Sequence, residues 1–111
     1  MTRPFEINFD FPVALSNLKI SLRATAELHH SEPYFVVHDF YQADSLKKTE
    51  HHSILPDQEI KRVNLDSSYT WVHRDSGRES LLSLAIGAAI EKFLPGEELL
   101  SITTKKIINT F

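Results

Sequence analysis

The residues best suited to chemistry in this chain are its six histidines and one short polar run, His73-Arg74-Asp75-Ser76. Two pairs of adjacent histidines stand out, His29-His30 and His51-His52. Neighbouring residues on a strand point to opposite faces, so such a pair can chelate one metal only from a loop. The chain has no cysteine and no His-Glu-x-x-His. The pairs therefore read as solvated loop histidines, and no metal is expected. His38 is different, because the expected strand register puts it on the apolar face beside Ala24, which leaves room for its ring. It is either a core histidine with one satisfied hydrogen bond or an acid/base group lining a pocket.

The run from His73 to Ser76 falls where a strand meets a helix. A helix N-terminus offers free N–H groups to an anion, and Arg74 and Arg78 would add charge. Ser76 and Glu79 would occupy those N–H groups as caps. A Ser–His–Asp triad of Ser76, His73 and Asp75 fails, because residues so close in sequence rarely converge. Trp71 reads as a core or rim aromatic, since no basic groove surrounds it. Four residues remain as a candidate ligand-binding set: His38, Trp71, His73 and Arg74. No residue is assigned a catalytic role, and no cofactor fingerprint or phosphate loop is present.

The element that would position this set runs from Ser76 to Phe93. Ser76 with Glu79 spells a capping box. Apolar residues recur at Leu82, Ile86, Ala89, Ile90 and Phe93, widened by Leu81, Ala85 and Ala88. Pro95-Gly96 is a strong stop. Gly87 costs up to about 1 kcal/mol relative to alanine in a helix. With Ala85, Ala88 and Ala89 beside it, it marks a close approach to another backbone. That neighbour is the sheet or, on a second reading, a partner helix in a dimer.

Strands are predicted over 5–11, 18–29, 34–41, 58–65 and 69–73. In the first, Phe5, Ile7, Phe9 and Phe11 alternate with Glu6, Asn8 and Asp10. In the second, Leu18, Ile20, Leu22, Ala24, Ala26 and Leu28 alternate with polar residues. A hairpin with Phe11 opposite Leu18 pairs apolar with apolar on one face and sets Glu6 against Arg23 on the other. Placing Leu28 opposite Tyr34 sets Ala24 against His38 and Arg23 against Asp39. This register puts Phe35, Val37 and Tyr41 on the face away from the helix, as an exposed apolar patch.

Residues 42–52 read as a polar loop. In 58–65, Ile60 and Val63 have opposite parity, which suggests a bulge or a twisted edge. The segment 97–111 fits a helix through Leu100, Thr104, Ile107, Ile108 and Phe111, with acids first and Lys105-Lys106 later. Its threonines also suit a strand, and the helix is favoured.

The chain is expected to be a single α+β domain over 1–111. It should be an antiparallel sheet of about five strands with one main helix on one face. Hydrophobic residues make up 41% and charged residues 24%, ordinary for a globular fold. A net charge of -3 with interspersed signs offers no footprint for nucleic acid or acidic membranes. No apolar run reaches the length of a membrane span, and the N-terminus lacks a signal-peptide pattern. A cytosolic protein is expected. Its function reads as non-enzymatic binding or assembly through a sheet face or edge, as a homodimer with Phe35, Val37 and Tyr41 in the contact. The alternative is a small-ligand-binding domain or small enzyme, its ligand unnamed, with a pocket near His38, Trp71, His73 and Arg74.

Overall fold

The computed structural model describes residues 4–12, 19–29, 33–42, 53–66, 68–96, 98–99 and 104–105. The elements are β1 (Phe5–Pro12), β2 (Lys19–His29), β3 (Tyr34–Gln42), β4 (Gln58–Leu65), β5 (Ser68–His73), α1 (Leu81–Phe93) and β6 (Thr104–Lys105). The first five strands form an antiparallel meander in the order β1-β2-β3-β4-β5. The expected α+β architecture is present. The sheet curls around α1, which reaches both edge strands: Phe93 stacks on Phe5 of β1, and Gly87 lies against Trp71 of β5.

The alternation in β1 and β2 does what strict period-two patterning requires. Phe5, Ile7, Phe9, Leu22, Ala24 and Ala26 are buried, while Glu6, Asn8 and Asp10 are exposed. The register differs from the expected one by two residues: Phe11 lies opposite Ile20, and Phe9 opposite Leu22. A two-residue shift preserves both faces, so the core is unchanged. Only the outer pairs change. Ser21 now donates to Asp10 (2.8 Å), while Arg23 still reaches Glu6 diagonally (4.0 Å).

β3 departs from expectation more deeply. Leu28 lies opposite Phe35 rather than Tyr34. A slip of one residue turns every side chain to the other face. Phe35 and Val37 therefore point inward and are fully buried with Leu22, Ile60 and Ile86. His38 points outward, opposite Thr25. The ladder then shifts between Arg23 and Thr25, and Asp39 adopts φ 57°. Aspartate tolerates this left-handed conformation better than a bulky residue would. The bulge re-phases the strand, so Phe40 also reaches the core, while Tyr41 faces outward opposite Arg23. The predicted outer patch of Phe35, Val37 and Tyr41 does not form.

β4 occupies the expected residues without a bulge against β5. Its mixed parity has another cause. Ile60 and Arg62 share the helix-facing row, whereas Lys61, Val63 and Leu65 face outward. Arg62 is buried, with its guanidinium 3.9 Å over the Tyr69 ring and Nε 3.6 Å from Glu91 Oε2.

The helix begins one turn later than the capping-box pattern suggests. Ser80 is the N-cap, its hydroxyl accepting from Ser83 N (2.9 Å), while Ser83 Oγ accepts from Ser80 N (2.8 Å). Ser76 lies in a preceding turn and accepts from Arg78 N. Gly77, at φ 70°, turns the chain between them. Glu79 takes the Thr70 hydroxyl rather than an N–H at Ser76.

In the segment 97–111, favoured as a helix, Glu98 and Leu99 are helical, with Leu99 N donating to Pro95 O (3.1 Å), whereas Thr104–Lys105 is a strand; its other residues lie outside the described ones. β6 pairs in parallel with Val63 and Asn64. β3 pairs with β4 only over Gln58–Ile60, and β5 takes the other side, so β6 completes the ladder that β3 leaves open. The loop predicted at 42–52 lies, apart from Gln42, outside the described residues.

Candidate functional site

The four residues proposed as a ligand site divide between the two sides of the sheet. Trp71 is buried under α1, and its indole Nε1 donates to Glu91 (2.7 Å). His73, at the end of the same strand, places Nε2 2.7 Å from Ser80 Oγ. That histidine–serine distance would suit an activated nucleophile. The same oxygen, however, already accepts the Ser83 N–H as the helix cap, so His73 braces the start of α1.

Arg74 lies on the outer side. Its guanidinium stands 4.0 Å over the Tyr34 ring, and Nη1 donates to Glu59 (3.1 Å). Tyr34 in turn stacks on His29, with centroids 4.9 Å apart. His38 is also outside, but four residues along β3 from Tyr34, about 13 Å of strand. The set does not converge on one pocket.

His38 is held by two carboxylates. Nε2 lies 2.6 Å from Glu27 Oε2, and Nδ1 lies 3.0 Å from Asp39 Oδ2. Partial burial disfavours the charged ring. The hydrogen bonds to Glu27 and Asp39, and their negative charge, outweigh it and raise the pKa above the ordinary histidine value. With both nitrogens facing acceptors, the ring is suited to be a doubly bonded imidazolium tying β2 to the β3 bulge.

No group of three His, Cys, Asp or Glu among the described residues is placed to hold a metal. His30, His51 and His52 lie outside those residues. No described helix is long and apolar enough to cross a membrane.

The surface holds two features that the four-residue set does not include. The first is the outward side of α1. The helix is capped, packed and sited by Ser83, Ile86, Gly87, Ala89 and Ile90, all buried. The residues turned away from the sheet are apolar as well: Leu81 is 68% exposed, Leu84 40%, and Ala88 is exposed between them and the last turn. Charge enters the helix only at Glu91 and Lys92. No family model matches this chain, no curated protein matches its sequence, and no solved structure matches its fold. The site must therefore be read from its own geometry.

The second feature is a cleft of about 410 Å³ on the outer face of β4 and β5, lined by Lys61, Val63, Leu65, Thr70, Val72 and Glu79, with Arg74 at its rim. Nothing in the linear pattern marked it. Its outward valines and leucine were legible only as the odd parity of Val63.

Proposed function

We propose that this chain is an assembly module that pairs with a second copy of itself through the outward face of α1. The observation that carries this is a helix whose outward side, like its sheet-facing side, is apolar until Glu91 and Lys92 in the last turn. A helix of that kind is ordinarily buried all round, yet one side here meets only the sheet and the other is open. Leu81, Leu84 and Ala88 follow one another at the spacing of a helix–helix seam.

An isologous contact fits these residues. With the two helices antiparallel across a two-fold axis, Leu84 meets its own counterpart, and Leu81 of each copy faces the small Ala88 of the other. Large against small lets the helices approach. Fully burying an apolar side chain contributes about 1.5–3 kcal/mol, and two leucines from each copy would enter the contact. Association costs several kcal/mol against this, so a dimer of moderate affinity is expected. The role assigned by sequence to a sheet face passes to the helix, because Phe35 and Val37 are committed to the core.

The test is sedimentation velocity over a dilution series. Wild type should dissociate with dilution, and Leu84→Glu should be monomeric throughout while keeping its folded spectrum. A wild type that is monomeric at every concentration, or a Leu84→Glu variant that dimerises as well as wild type, overturns the reading.

A further inference from the structure

The cleft on β4 and β5 lies on the opposite side of the sheet from α1, so a dimer through the helix leaves it open. Its volume of about 410 Å³ lies within the usual range of small-molecule sites, roughly 300–1,000 Å³. Two of its side chains, the half-buried Val63 and Leu65, present apolar surface, and the buried Val72 lies in its floor. They come from two adjacent strands in one continuous ladder, in which Lys61 lies opposite Val72 and Val63 opposite Thr70. The scaffold under the cleft is therefore rigid, the condition for a site that is already shaped before a ligand arrives.

The polar groups around this apolar bed are unequally occupied. The Thr70 hydroxyl donates to Glu79, and Arg74 donates to Glu59 while it covers Tyr34. Lys61 stands apart. It is half-buried, it lines the cleft, and no hydrogen bond or ion pair joins it to any described residue. A lysine normally extends its ammonium to water. Here Lys61 lies opposite Val72 in the ladder and lines the cleft together with Val63 and Leu65. Lys61 and Arg74 outnumber the one carboxylate of the lining, Glu79. The complementary ligand carries one negative charge at one end and an apolar body at the other.

We propose that this cleft binds a small monocarboxylate with an aromatic or branched aliphatic body, its carboxylate received by Lys61 and its body laid on Val63, Leu65 and Val72. A buried or half-buried ammonium bonded to a carboxylate makes a charge-assisted hydrogen bond, stronger than one between neutral groups. The apolar bed contributes affinity with no geometric demand, and Lys61 selects the charge. The Glu79 carboxylate, held by Thr70 in the same lining, repels a second anionic group, which favours monocarboxylates over dicarboxylates.

The experiment is a titration of the ¹⁵N-labelled chain, followed by amide shifts, with three probes of one shape: 4-phenylbutyrate, its neutral amide, and 4-phenylbutylamine. The acid should move the amides of Lys61, Val63, Thr70 and Val72 and saturate. The neutral amide should bind the same place roughly tenfold more weakly, the worth of one charge-assisted hydrogen bond, and the amine more weakly still. In Lys61→Met, with an unchanged folded spectrum, the acid should lose its advantage over the amide while both still touch Val63 and Val72. Equal binding of acid and amide to wild type, a preference for the amine, no binding by any probe, or shifts confined to another face would each overturn the proposal. Should Lys61→Met not fold, the comparison of the three probes on wild type decides alone. None of these outcomes bears on self-association, which sedimentation measures separately.

Discussion

Gly87 lies directly against the indole of Trp71: a Cβ added to Gly87 would collide with Trp71 Cγ. Trp71 also accepts the Ser83 hydroxyl at its backbone oxygen and sends its indole N–H to Glu91. One β5 residue is thus clasped by Ser83, Gly87 and Glu91 along a single helix face. This is the close approach that the run of small residues foretold, and its partner is an aromatic side chain rather than a second helix.

Gly87→Ala therefore sets two effects against each other. Alanine in a helix interior is favoured over glycine by up to about 1 kcal/mol. Overpacking against a buried ring costs about 1–3 kcal/mol, and Trp71 cannot yield without disturbing Glu91 and Phe35, whose ring lies 5.9 Å away. The clash should win. Urea denaturation should show a net loss of stability, with an altered Trp71 emission in the folded state. A more stable Gly87→Ala would mean that α1 stands farther from β5.

The inward placement of Val37 reverses what a charge there should do. Val37 is fully buried, so Val37→Glu places a carboxylate in the core, one of the mechanisms behind the largest single-residue losses. It should unfold the chain rather than merely separate two copies. Leu22→Ala, also in the core at 1% exposure, should cost about 2–5 kcal/mol, whereas Lys19→Ala on an exposed site should cost under about 0.5 kcal/mol. Circular dichroism with denaturant titration reads all three. A folded Val37→Glu of near wild-type stability would restore the outward register.

These cases mark what the chain discloses before it folds. β1 and β2 were legible because their apolar residues keep one parity from end to end. β3 was not, since Phe35 and Val37 are odd and Phe40 is even, and only the bulge at Asp39 brings all three inward. The bulge depends on how β2 pairs, which no local pattern states. The cap was ambiguous for a different reason: Ser76 with Glu79 satisfies the pattern as well as Ser80 with Ser83, and Gly77 decides between them by turning the chain. β6 exists because β3 leaves an edge of β4 open, a fact external to Thr104 and Lys105. Of the candidate site residues, Arg74 alone reaches the cleft, and Lys61 carried no signal of its own.

His38 makes stability depend on pH in a definite direction. Its folded pKa is raised above the ordinary value of 6.5 by Glu27 and Asp39, against the opposing effect of burial. The imidazolium is then better satisfied in the folded chain than in the unfolded one. Its contribution is fully present below about 6.5 and is lost as pH rises through the folded-state value. Other groups face it or lie close by, namely Thr25 across the ladder, Arg23 nearby on β2 and Tyr41 beyond the bulge. Replacing His38 by glutamine should remove this dependence. The stability difference between wild type and His38→Gln should be largest at mildly acid pH and shrink above neutrality. An NMR titration placing His38 at or below the ordinary value would contradict the two-carboxylate clamp.

The two serines before the helix should behave oppositely to their order in the capping pattern. Ser80 holds the Ser83 N–H and meets His73, while Ser76 accepts from Arg78 in an exposed turn. Ser80→Ala removes the acceptor from the first turn and leaves His73 Nε2 without its hydroxyl partner. Loss of an N-cap costs about 0.5–2 kcal/mol, and the orphaned ring should place this variant toward the upper end. Ser76→Ala should cost under about 0.5 kcal/mol, as exposed sites do. Thermal and urea denaturation of the two variants under one set of conditions decides it. A larger loss for Ser76→Ala would move the start of α1 back by a turn and detach His73 from it.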